Sequence, residues 1–145
     1  MANEMTNREI VESFYEAVGE KAVVGDDGVK RGDIDHLRQI FAEDIEWIHP
    51  ALGGAFHGAD SVINDILLPF LEKWELELDF DRYIEDGNTI VVLADYGGLY
   101  RPTGKSFSEP TAHVWDLKDG RIVRFRQYVD VASLWGQIED DPSVE

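Results

Sequence analysis

The sequence predicts an α+β fold, with three helices leading into an antiparallel sheet inside a single domain spanning residues 1–145. Three observations carry this prediction. Apolar residues recur at helical spacing through most of the first half, alternation with a period of two takes over from Glu75, and Asp119-Gly120 reads as a hairpin turn. At 145 residues and 43% hydrophobic composition the chain is long and apolar enough to bury one core.

The first helix opens at Thr6 and Glu9, three residues apart, where each side chain can take a free backbone N–H of the other's position. Its apolar residues Ile10, Val11, Phe14, Ala17 and Val18 form one stripe. Gly19 to Gly32 holds four glycines, mixed charges and the pair Val23-Val24. That composition suits a loop or a frayed helical extension better than a strand, and it is read as a flexible insert. Asp33 is a good N-cap for a second helix with Ile34, Leu37, Ile40 and Phe41 buried, ending near Glu43.

A strand follows in Ile45-Glu46-Trp47-Ile48-His49, where alternation puts Ile45, Trp47 and His49 on one face and Pro50 ends the ladder. Gly53, Gly54 and Gly58 mark a loop. Asp60 begins a third helix with Ile63, Ile66, Leu67, Phe70 and Trp74 on one side, kinked or split by Pro69. Leu76, Leu78 and Phe80 then alternate with acidic residues, as in a half-exposed strand. The run Thr89 to Ala94 is apolar at both parities, which suits a strand covered on both faces, a second subunit being one such cover. Phe107 to Leu117 and Arg121 to Asp130 complete the sheet, and Glu139 to Glu145 reads as a loose acidic tail.

Thirteen Lys+Arg against 30 Asp+Glu give a formal charge of -17, the wrong sign for nucleic acid or an anionic membrane surface. The absence of cysteine excludes disulfides, thiolate metal sites and a cysteine nucleophile. With no apolar run near the roughly 20 residues of a membrane span and no basic, apolar leader in MANEMTNREI, a cytoplasmic protein is expected. No close histidine pair of a helix-borne zinc motif is present, so neither metal nor cofactor is expected.

Several strings, taken in order, resemble the nuclear-transport-factor-two-like superfamily, and within it the SnoaL-like and ketosteroid-isomerase-like proteins. They are Gly32-Asp33-Ile34-Asp35 leading into Ile40 to Trp47, then Phe56-His57-Gly58, Asp119-Gly120-Arg121-Ile122 and Tyr128-Val129-Asp130. The resemblance covers roughly residues 8 to 136, and the Gly19 to Lys30 insert departs from it. It implies a cone, a bent sheet wrapped on a long helix around an apolar cavity, and a homodimer through the sheet's outer face.

The resemblance also implies site residues. His49 corresponds to the general-base aspartate of the steroid isomerases, His113 to their oxyanion-hole acid and Tyr15 to their oxyanion tyrosine, while Asp130 matches the acid/base position of the SnoaL-like cyclases. On the residues alone, His49 shares a face with Trp47, and His113 shares one with Thr111 and Trp115. Each histidine could instead be a core residue bonded to a neighbour, and Asp130 could cap a following turn or pair with Arg126. Trp47, Phe107, Trp115, Arg126 and Tyr128 are expected to line the pocket, with Arg101 on a loop at its lip. The expected activity is cofactor-free proton transfer on an apolar carbonyl compound, by isomerisation, cyclisation or dehydration. The alternatives are a hydrophobic-ligand carrier, or an epoxide hydrolase, whose Asp-Arg-Asp arrangement finds only Arg126 beside Asp130 here.

Overall fold

The computed structural model describes residues 5–19, 23–24, 30–49 and 54–139. Pro50, Gly53, most of the 19–32 insert and the tail beyond Glu139 lie outside the described residues. Helix α1 (Asn7–Val18) carries the expected capping box at Thr6 and Glu9, and it buries Ile10, Val11, Phe14, Tyr15, Ala17 and Val18. Within the insert, β1 (Val23–Val24) and β2 (Lys30–Arg31) form a short antiparallel pair, a correction to the reading of that stretch as loop or helix. The two valines favour extended backbone more than the surrounding glycines suggested.

Helix α2 (Ile34–Ile40) is capped by Asp33 and stops three residues before its expected end. Phe41 already faces Ile122 of the last strand, and this long-range pairing turns residues 41–44 into the start of β3 (Phe41–His49). β4 (Gly54–His57) then pairs with β3. The third helical region is divided into α3 (Ala59–Ser61), a π-helical stretch (Val62–Leu67) and α4 (Leu68–Lys73). Pro69 sits in the first turn of α4, where a missing N–H is tolerated, so the split expected at this proline occurs as a change of helical register. Trp74 belongs to the following strand and not to the helix.

Strands β5 (Trp74–Asp86), β6 (Thr89–Tyr100), β7 (Lys105–Lys118) and β8 (Arg121–Val129) make an antiparallel meander. β3 joins β8 in parallel, which gives the order β4-β3-β8-β7-β6-β5 in one curved, unclosed sheet. Asp119 (φ 53°) and Gly120 (φ 79°) form the β7–β8 turn. Curvature is concentrated at Gly98 (φ 138°), where a Cβ would lie 1.8 Å from the Glu75 carbonyl oxygen. The concave face packs on α1, the π-helical stretch and α4, and this is where the core lies. A fifth helix, α5 (Val131–Ile138), follows β8 with Asp130 as its N-cap. The sequence reading, with three helices, missed it because its apolar stripe is only two turns long.

β8 contains an extra residue. Asp116 faces Arg124 and Leu117 faces Ile122, which leaves Val123 without a partner on β7. Such a bulge exchanges the inward and outward parities along the strand. Ile122 is buried before it, whereas Phe125 and Gln127 are buried after it.

Candidate active site

Between α1, α4 and the concave face lies a pocket lined by aromatic and aliphatic side chains, with Tyr15, His49, Tyr96, His113 and Gln127 as its polar members. Its free interior space is about 40 Å³. One buried water needs roughly 10–15 Å³ on this measure, so the space suits a ligand of a few heavy atoms. No carboxylate and no guanidinium is among the described lining residues.

Each polar group arrives by ordinary alternation. His49 is the last residue of β3, two beyond Trp47, and both point inward. His113 and Trp115 share the inward parity of β7, and Tyr15 comes from the buried stripe of α1. The Tyr15 hydroxyl lies 2.6 Å from His113 Nδ1 and accepts a hydrogen bond from Trp115 Nε1 at 3.1 Å. On the far side of the same imidazole, Gln127 Nε2 lies 3.3 Å from His113 Nε2. The Phe125 ring sits between the two histidines, with its centroid 5.1 Å from His113 and 6.4 Å from His49.

Burial keeps these groups uncharged. It pulls His49 from 6.5 to about 4 and, with a smaller push from the neighbouring His49, takes His113 to about 3. Burial likewise raises Tyr15 well above the usual phenol range, although the Trp115 hydrogen bond pulls the other way. Tyr96 is raised for the same reason. At neutral pH the pocket therefore holds two imidazoles with free lone pairs and two intact phenols. Three of its polar atoms are buried without a hydrogen-bond partner, namely Trp47 Nε1, His49 Nδ1 and Gln127 Oε1. The Gln127 amide influences Tyr96, but no hydrogen bond joins Oε1 to that hydroxyl.

Of the nine expected site residues, Tyr15, Trp47, His49 and His113 come together here. Trp115 is fully buried behind Tyr15, and Phe107 packs against Trp74 and Tyr96, so both support the pocket without lining it. Asp130 lies elsewhere. Its exposed carboxylate accepts the Ser133 N–H at 3.0 Å and caps α5, the turn-capping alternative noted for it. Arg126 points outward near Asp116 at 3.8 Å, and Tyr128 is 54% exposed. The Val123 bulge explains all three displacements, since the even-numbered residues after it leave the concave face. Arg101 is tied down by the Leu71 and Glu72 carbonyls. Gln127 and Tyr96 were not anticipated. Tyr96 extends the parity of Ile90, Val92 and Ala94, a signal that was available, whereas Gln127 becomes visible only once the bulge is known.

The SnoaL-like domain family matches residues 11–125, most of the chain. This chain belongs to that family. No curated protein matches it. Among solved structures, a nuclear-transport-factor-two-like protein of Burkholderia pseudomallei K96243 is 30% identical, with a TM-score of 0.76 over 94% of this chain and all of that one. A candidate SnoaL-like polyketide cyclase of Jannaschia sp. CCS1 is 20% identical, with a TM-score of 0.76 over 97% of this chain and 100% of its own. A protein of ketosteroid isomerase-like fold from Catenulispora acidiphila, solved with trimethylamine, is 20% identical, with a TM-score of 0.71 over 91% and 93%. The last two likenesses establish shared fold. Among the described residues of this SnoaL-like protein, no three His, Asp or Glu side chains cluster as metal ligands, and no helix is long and apolar enough to cross a membrane.

Proposed function

We propose that this SnoaL-like protein is a cofactor-free acid/base enzyme that moves a proton on a small carbonyl compound. One observation carries the reading: in an apolar pocket, the partnerless nitrogen of a neutral His49 shares a small space with Tyr15, a hydroxyl already supported by Trp115. His49 takes the proton from the carbon next to the carbonyl. The C–H bond breaks, an N–H bond forms, and the electron pair passes through the new C=C bond onto the carbonyl oxygen. Tyr15 donates its O–H to that oxygen as the charge develops, with Trp115 holding the phenol oxygen. Return of the proton to a different carbon completes an isomerisation, and loss of a hydroxyl completes a dehydration.

The base strength fits this work. A conjugate-acid pKa of about 4 for His49 is close to the value of about 4.6 for the general-base aspartate of ketosteroid isomerase. The difference is one of charge. A neutral base becomes an imidazolium, so the intermediate is an ion pair in an apolar pocket and not two anions. Epoxide hydrolysis is less well supported, because Arg126 and Asp130 stand outside the pocket.

Deuterium uptake from solvent at the carbons flanking the carbonyl of methyl propyl ketone, followed by NMR, tests the proposal. His49→Gln and Tyr15→Phe are each expected to slow uptake about 100-fold. A wild-type rate equal to buffer, or full activity in His49→Gln, contradicts it; ligand binding without uptake indicates a carrier.

The outer face of the sheet exposes Ile84 (41%) and Tyr128 (54%) around the half-buried Val91, Leu93 and Val114. On this ground we infer a homodimer through that face. Sedimentation of Val114→Glu should then yield monomers where the wild type yields dimers.

A further inference from the structure

The reading of Tyr15 as a donor to substrate leaves one matter open, and the inference drawn here rests on that reading. A phenol has one proton. If Tyr15 gives it to His113 Nδ1, 2.6 Å away, none remains for a carbonyl oxygen. The outcome depends on which nitrogen of His113 carries the hydrogen, and burial holds that ring in its singly protonated form.

The other side of the ring decides it. Gln127 is 1% exposed, and its Nε2 can only donate. The 3.3 Å contact to His113 Nε2 is a hydrogen bond only if that nitrogen bears a lone pair. The hydrogen of the imidazole is then on Nδ1 and goes to the Tyr15 oxygen. That oxygen accepts two hydrogen bonds, from His113 and from Trp115, and its own O–H is free for the pocket. The same amide has a second end. Gln127 Oε1 is buried beside the pocket with no partner, a state that costs about 1–3 kcal/mol unless a ligand relieves it.

We propose that Gln127 fixes His113 as the Nδ1–H tautomer, which frees the Tyr15 hydroxyl, and offers Oε1 to a hydrogen-bond donor on the substrate. The substrate class is then a small carbonyl compound that also bears a hydroxyl or amino group. Gln127 is a positioning residue toward His113 and a specificity residue toward the ligand. An isostere with a methyl in place of the hydroxyl leaves Oε1 unsatisfied and is discriminated against.

Two measurements test this on the full chain. In ¹⁵N NMR of the histidine rings, wild-type His113 should show a protonated Nδ1 and an unprotonated Nε2. In Gln127→Glu, a carboxylate can only accept, so Nε2 should become protonated. A wild-type ring protonated at Nε2 overturns the proposal, whether or not the protein has activity. The second measurement compares deuterium uptake into methyl propyl ketone with uptake into its analogue of equal length whose terminal methyl is replaced by hydroxyl. The wild type should prefer the hydroxy ketone roughly tenfold in kcat/KM, and Gln127→Met should abolish the preference. Equal rates for the two ketones in the wild type overturn the specificity half. Uptake of neither ketone, with the expected tautomer present, counts against the acid/base function while the assignment of Gln127 to His113 stands.

Discussion

The two faces of β8 carry polar side chains within a few residues of one another, yet they hold them by opposite means. On the concave face, Gln127 is almost fully buried beside Phe125 and contacts the His113 ring. On the convex face, Arg124 meets Glu46 at 2.7 Å and holds that carboxyl below the usual carboxylate range, Arg126 lies near Asp116, and Tyr128 stands half in solvent. A group on the convex face that loses its partner finds water. One on the concave face finds hydrocarbon, so few contacts there decide protonation and direction. Site chemistry in this protein therefore depends on parity along the strand, and that parity is set by the one-residue bulge at Val123.

If this contrast is right, equivalent substitutions on the two faces should differ widely. Phe125→Ala, which removes a ring stacked 4.1 Å from Trp47 and 4.6 Å from Trp115, should lower unfolding free energy by about 3–5 kcal/mol in urea titration. Tyr128→Ala, two residues beyond the next outward position, should change monomer stability by no more than about 0.5 kcal/mol.

A pH titration sharpens the comparison. His49 and His113 have folded pKa values depressed from 6.5 to about 4 and about 3, so between those limits the unfolded chain binds more protons than the folded one. The stability they provide by staying neutral is complete above pH 6.5 and is lost as pH falls toward 4 and then 3. Since each pKa unit is worth about 1.4 kcal/mol, His49 alone accounts for roughly 3 kcal/mol of acid sensitivity. Urea midpoints for His49→Gln should be flatter between pH 6.5 and 4 than those of the wild type; parallel curves would place the sensitivity elsewhere. The smallest effect belongs to the convex face: Arg124→Ala should lower stability by at most ~1 kcal/mol, less in high salt.

These contrasts also account for what could be read from the residues. The capping box of α1, the inward histidines of β3 and β7 and the Asp-Gly turn rest on local chemistry, and the structure has them as expected. Helix α2 ends early because of a pairing with Ile122, more than 80 positions along the chain, which no local window contains. Asp130, Arg126 and Tyr128 were placed at the pocket by continuing the alternation across Val123, and a bulge has no composition signature in a run as regular as Arg121 to Val129. Gln127 was hidden by the same residue.

The central claim is that His49 acts as a neutral base in the pocket, and the pH dependence of deuterium uptake into methyl propyl ketone tests it most directly. With a base of pKa about 4, kcat/KM should be level through neutral pH and fall only as pH drops below about 5, with the acid limb absent in the residual rate of His49→Gln. An acid limb centred near 6.5, or one that survives the loss of His49, would contradict the account.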